Sequence, residues 1–147
     1  MTAAASEMDA EQLASDARRE RLGELLAFID GACARAGVPR DLALDVRLAA
    51  EEVVTNVIEH GYAGAGGPIT IGVRREPRRV VIVVEDRAPP FDPATVPAVD
   101  PAVPLDHRQI GGLGWHLATR VMDEVRHELV HPRGNRLTLV KRLAAED

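Results

Sequence analysis

The chain is predicted to fold as a two-layer α/β sandwich, with a mixed, mainly antiparallel sheet and helices on one face. Three observations carry this class. Helical apolar periodicity fills much of the first third of the chain, two pairs of strand-like runs are each joined by a short turn, and a further helical segment lies between the pairs. The order helix, helix, hairpin, long loop, helix, hairpin is what one helical layer packed on one sheet requires. A length of 147 residues gives one hydrophobic core and is too short for two ordinary ones. One domain is therefore expected over residues 11–147, after a small, polar and frayed N-terminus of about ten residues.

From about residue 11, helical periodicity runs to Ala36, where Gly37 and Pro39 supply a stop. Asp41 reads as the N-cap of a second helix, "DLALDVRLAAEEVVTNVIEHGY", which runs into a glycine-rich connector, Gly61 to Gly67. The run "PITIGVRREPRRVVIVVEDRA" is apolar or alternating on both sides of Glu76-Pro77, as two strands around a tight turn would be. The second of them, Val80 to Glu85, is apolar almost throughout and is expected at the centre of the sheet. After it, "PPFDPATVPAVDPAVPLDHRQ" is too rich in proline for a regular element, and a loop of that length in a small domain usually has a function. "GGLGWHLATRVMDEV" restarts a helix with Leu117, Val121 and Met122 on one face, and "VRHELVHPRGNRLTLVKRL" closes the chain as a hairpin turning near Pro132 to Gly134.

Composition narrows the function. A net charge of −5 disfavours direct binding to nucleic acid or to anionic membranes, so any bound phosphate needs a local site. The single cysteine, Cys33, lies on the apolar face of the first helix with Leu22, Leu25, Leu26 and Ile29, and reads as a core thiol in a reducing compartment. No apolar leader and no stretch of membrane-spanning length occurs, so a cytoplasmic location is expected. Zinc-type Cys/His spacing, a G-x-S-x-G elbow and internal repeats are all absent from the sequence.

Three short patterns carry chemistry. In "EEVVTNVIEHGY", Glu52, Asn56 and His60 follow one another at four-residue spacing, which on a helix keeps an acid, an amide and an imidazole on one stripe with about 40° of drift per step. Val53, Val54, Val57 and Ile58 flank them and point to burial. A solvated polar stripe is the mundane explanation. Asp86 ends the central strand, where a carboxylate can accept a hydrogen bond from an exocyclic amine; a turn-starting Asp is the commoner occurrence. "GGLGW" lies just before a helix, where glycines let the backbone approach a polyphosphate and the helix end attracts its charge. It is neither a Rossmann nor a Walker loop.

The order of the three patterns is more specific than any one of them. It resembles the GHKL or Bergerat-fold ATP-binding superfamily, and within it the anti-sigma factor serine kinases of partner-switching systems. "EEVVTNVIEHGY" is similar to that family's N box, "EDRAPPFDP" to its G1 box, "GGLGWHLATRVMDEV" to its G2 box and "GNRLTLVKRL" to its closing strand. The resemblance implies ATP and Mg2+ as cofactors, with Asn56 holding the metal and Glu52 acting as general base. It implies that Asp86 receives the adenine amino group with Thr138 as a helper, and that His60 and Ala88 frame the pocket. Gly112, Leu113, Gly114, Trp115 and His116 would line the triphosphate. Residues 92–110 would form an ATP lid whose Arg108 reaches the γ-phosphate.

The implied activity is phosphorylation of a serine on a STAS-domain antagonist by a kinase that also sequesters a sigma factor and admits a homodimer. Two alternatives stand beside it: an ATP-binding anti-sigma or scaffold module without kinase activity, and a detached histidine-kinase-type ATPase domain. Three departures bear on the choice. Ala88 stands where the family has glycine, which restricts the backbone near the adenine. Trp115 replaces an aliphatic residue, and the family's first strand is not visible in "MTAAASEMDAEQLASDARRE".

Overall fold

The computed structural model describes residues 10–90 and 110–143. Its sheet has five strands, β1 (Ala10–Asp16), β2 (Pro68–Glu76), β3 (Arg79–Asp86), β4 (Glu124–Leu129) and β5 (Asn135–Arg142), in the order β1-β2-β3-β5-β4. Every pairing among them is antiparallel. Three helices, α1 (Leu22–Arg35), α2 (Arg40–Asn56) and α3 (Ile110–Val121), complete the fold. The expected two-layer class holds, with β3 at the centre of the sheet.

The first element differs from expectation. Residues 10–16 form an edge strand, paired with β2 from Ala10↔Arg74 to Asp16↔Pro68, where sequence periodicity had suggested helix. "AEQLASD" contains one large apolar residue, Leu13, so its period is illegible; the open edge of β2 decides its conformation against the helical leaning of Ala, Glu, Gln and Leu. The family's first strand is therefore present. Arg35 fastens α1 to this strand through hydrogen bonds to Glu11 of 2.7–3.0 Å. The pair lowers the Glu11 pKa, first by hydrogen bonding and then by charge.

Helix α1 stops where Gly37 and Pro39 indicated. Gly37, at φ +74°, donates to the carbonyl of Ala34 and Val38 donates to that of Cys33, so the last turn is closed by the two bonds of a Schellman ending. Helix α2 begins one residue before the expected cap. Pro39 occupies the N-cap with extended backbone and no side-chain hydrogen bond, since its ring has no polar atom to offer; its carbonyl accepts the Ala43 N–H. Asp41 instead sits in the first turn, where its charge faces the positive helix end.

Alternation places Ile69, Ile71 and Val73 of β2, Val80, Ile82 and Val84 of β3, and Leu137 and Leu139 of β5 against Leu25, Leu26 and Ile29 of α1 and Val46, Val53 and Val54 of α2. Truncating a fully buried member such as Ile29 to Ala would cost about 2–5 kcal/mol. Cys33 belongs to this core, and burial pushes its thiol up to about 11, which makes it an unreactive packing group. The opposite sheet face carries Arg136 paired with Glu85 at 2.8 Å.

Candidate functional site

The α2 helix does not simply end at Asn56. Its next residues, Val57–Gly61, form a π turn in which Tyr62 N–H bonds the Val57 carbonyl at 2.9 Å. A π turn advances less per residue than an α turn, so four residues return His60 over Asn56 with less drift than a regular helix would allow. The flanking Val53, Val54, Val57 and Ile58 are buried, as their positions suggested. Tyr62 then fastens the turn. Its hydroxyl donates to the Pro68 carbonyl at 2.6 Å and accepts the Arg87 N–H at 2.7 Å, tying the helix end to β2 and to the segment after β3.

Between this helix end and the ends of β3 and β5 lies a cavity of about 230 Å³. Val53, Val57, Leu137, Pro89 and Pro90 give it apolar walls, and Asn56, His60, Asp86 and Asn135 bring polar groups to it. An apolar cavity with a few converging polar groups suits a planar heteroaromatic ring with a hydrogen-bonding edge.

Asp86 is the buried anchor of the cavity, with 4% of its surface exposed. Its Oδ1 accepts the Ala88 N–H at 2.9 Å and the Asn135 Nδ2–H at 3.0 Å. Those two bonds offset the cost of burying a carboxylate, and Oδ2, which takes no donor among the described residues, is left as an acceptor for a ligand. Gly134 makes this approach feasible. It holds a φ of +140°, and a Cβ there would collide with the Asp86 carbonyl oxygen.

Asn135 is the residue sequence reading missed. Thr138 was expected as the helper of Asp86, but alternation puts it on the opposite sheet face, in register with Val83 and Arg126. Asn135 shares the inner face with Leu137 and Leu139 and lies directly across from Asp86. The phase of those two leucines was the signal that would have found it.

Ala88 does not strain the backbone. Among the described non-glycine residues only Ala63 has a positive φ. The Ala88 methyl is buried against Gly61, where an added Cβ would stand 3.1 Å from it. A methyl on one side is matched by a missing one on the other.

Glu52 stands one turn before Asn56, half-buried. Burial raises its pKa, and the neighbouring Glu51 carboxylate raises it further. No group of three or more His, Cys, Asp or Glu among the described residues could hold a metal. Beside the Asp86 carboxylate the cavity offers the amide oxygen of Asn56, which fits a hard cation that takes most of its ligands from phosphates and water.

The third pattern also lies differently from expectation. Helix α3 opens at Ile110, so Gly112, Leu113, Gly114 and Trp115 fall within it rather than in a loop before it. The first intrahelical bond comes from the fourth helical residue, as Ala43 shows at the start of α2, which keeps the Gly112 N–H available and removes Leu113, Gly114, Trp115 and His116 from that set. His116 continues the helix, and its carbonyl accepts the Thr119 hydroxyl at 2.8 Å. Arg108 and the lid expected over 92–110, apart from Ile110, lie outside the described residues, as does the N-terminus before Ala10.

A sheet of this order, a cavity at the end of its central strands and a buried aspartate facing an asparagine-bearing helix define a nucleotide-binding ATPase fold, and the chain belongs to the family of histidine kinase-like ATPase domains, whose profile matches residues 15–141. Its similarity extends to named serine kinases. Serine-protein kinase RsbW of Bacillus cereus (strain AH820) is 27% identical over 134 residues, covering 88% of this chain and 82% of the relative. RsbW of Halalkalibacterium halodurans is 28% identical over 135 residues, covering 89% and 82%. Among solved structures, that of the RsbU and RsbW domains of Rv1364c from Mycobacterium tuberculosis superposes with a TM-score of 0.65 at 22% identity, over 93% of this chain and 34% of that one. The last likeness is one of fold. The resemblance to the GHKL superfamily and to its serine-kinase subgroup is borne out.

Proposed function

We propose that this chain binds Mg-ATP, holds a sigma factor, and phosphorylates a serine on a STAS-domain antagonist of that hold. The observation that carries the reading is Asp86, a buried carboxylate with one oxygen saturated and the other left for an amine, at the end of an apolar slot that also reaches Asn56. Adenine fits such a slot because its amino group donates where Asp86 accepts. The kinase names of the relatives support the protein-serine substrate class.

In this reading each residue has one task. Asp86 orients the base, and Val53, Val57 and Leu137 exclude water from its faces. Asn56 offers an amide oxygen to Mg2+, which supplies charge neutralisation of the phosphates when bound. The N–H group of Gly112 in the first turn of α3 is the backbone donor for the phosphate chain. Glu52 takes the proton from the attacking serine hydroxyl; the serine oxygen bonds the γ-phosphorus as the bond to the β–γ bridging oxygen breaks, and ADP leaves. Its raised pKa makes it a stronger base than an ordinary carboxylate. A phosphoserine carries about two negative charges, so an acidic kinase surface would release its product by repulsion.

The test is incubation with labelled ATP, Mg2+ and a co-encoded STAS protein, followed by location of the phosphoserine. Transfer to one serine is expected. ATP binding without transfer to any such partner would leave a nucleotide-binding anti-sigma module in place of the kinase.

A further inference from the structure

The hydrogen bonds that hold Asp86 continue past Asn135. The Asn135 Nδ2 donates to Asp86 Oδ1 at 3.0 Å and to the Pro89 carbonyl at 3.1 Å, with the Ala88 carbonyl at 3.5 Å. On its other side Oδ1 lies 2.8 Å from Nε2 of His127 on β4. Carboxylate and carbonyl oxygens only accept, so the amide must turn its NH2 toward them and its oxygen toward His127. A donor is then required at Nε2. The neutral tautomer protonated there and the imidazolium both provide it.

The geometry points to His127 as a positioning residue for base recognition, acting through Asn135 to hold Asp86 and the Ala88–Pro89 backbone in the orientation that reads an amino group. It touches no ligand itself. The inference rests on the adenine reading above and adds the edge strand to the site. β4 is one of the two edge strands, with His127 in register with Leu137, yet two hydrogen bonds carry its influence to the cavity. A buried carboxylate whose Oδ1 is held by two N–H donors has little freedom to rotate, so Oδ2 is set before the ligand arrives. An acceptor fixed in that way favours a 6-amino purine and repels a 6-oxo one.

The imidazole can be replaced by side chains that differ only in what they offer. His127→Gln keeps an N–H donor at similar reach, His127→Glu presents acceptors only, and His127→Leu presents neither. For each variant and the parent, dissociation constants for ATP and inosine triphosphate are measured by titration, with thermal melts alongside. Parent and Gln variant are expected to prefer ATP by about tenfold or more, as loss of a hydrogen bond to a charged group implies. In the Glu and Leu variants the preference should fall severalfold, through weaker ATP binding. The ratio cancels any general effect of the new charge on a triphosphate, and Leu against Gln gives the same comparison should the Glu variant not fold. Equal ratios in all folded variants, with a selective parent, would overturn the role of His127 alone. A parent that does not distinguish the two nucleotides would overturn the adenine reading itself.

Discussion

Asp86 and Glu52, the two carboxylates of the proposed site, are built to opposite specifications. Asp86 ends a central strand, is almost wholly buried, and has one oxygen held by two N–H donors. Glu52 stands half-buried on a helix, with no hydrogen-bond donor among the described residues and a pKa pushed up by burial and by Glu51. Hydrogen bonds to a carboxylate stabilise its charge and fix its direction, which suits recognition. An unsupported, partly desolvated carboxylate gains basicity, which suits proton uptake. One functional group, the carboxylate, is thus suited to two proposed tasks through its surroundings alone.

That contrast is most exposed to failure at Glu52. Glu52→Ala is expected to leave ATP binding intact while slowing phosphoryl transfer by about 10²–10⁴-fold, the usual contribution of a positioned base. Single-turnover transfer beside an ATP titration measures both, and equal loss in the two would show that Glu52 serves binding and not chemistry. Some residual rate is expected, since positioning and charge stabilisation carry much of phosphoryl transfer.

Asp86→Asn should invert the pattern. An amide there must turn its NH2 either toward Ala88 and Asn135 or toward the base, and the lost charged bond corresponds to about 1.5–3 kcal/mol, or roughly ten- to a hundredfold in ATP affinity. Transfer at saturating ATP should change far less. An unaltered titration would remove Asp86 from the site.

A smaller effect sharpens the account of Glu52. Because the Glu51 charge raises the Glu52 pKa, Glu51→Gln should lower it and move the acidic limb of the pH–rate profile to lower pH, with the plateau rate kept. A limb moving to higher pH would contradict the sign of the coupling. The smallest effect belongs to Thr138. Thr138→Val lies on the sheet face away from the cavity and should leave ATP affinity unchanged, whereas a tenfold loss would restore it as a partner of Asp86.

Local pattern was enough for much of this architecture. Period 3.6 marked the face of α1 that buries Cys33 and the stripe of Glu52, Asn56 and His60. Period 2 marked both hairpins, and Gly37 marked a helix end. Each is a relation among residues a few positions apart, which propensity and periodicity can express. Residues 10–16 became a strand because β2 offered an open edge, a partner more than fifty residues away. Asn135 became the partner of Asp86 across 49 residues, and His127 joined them from the neighbouring strand. The methyl of Ala88 found room because Gly61 ends another element, and Glu52 gained basicity from the packing around it. Pairing register, mutual fit and desolvation arise only when distant segments meet, so the sequence by itself determined the chemical inventory and its local spacing, while the tertiary structure decided which groups hold one another and with what charge.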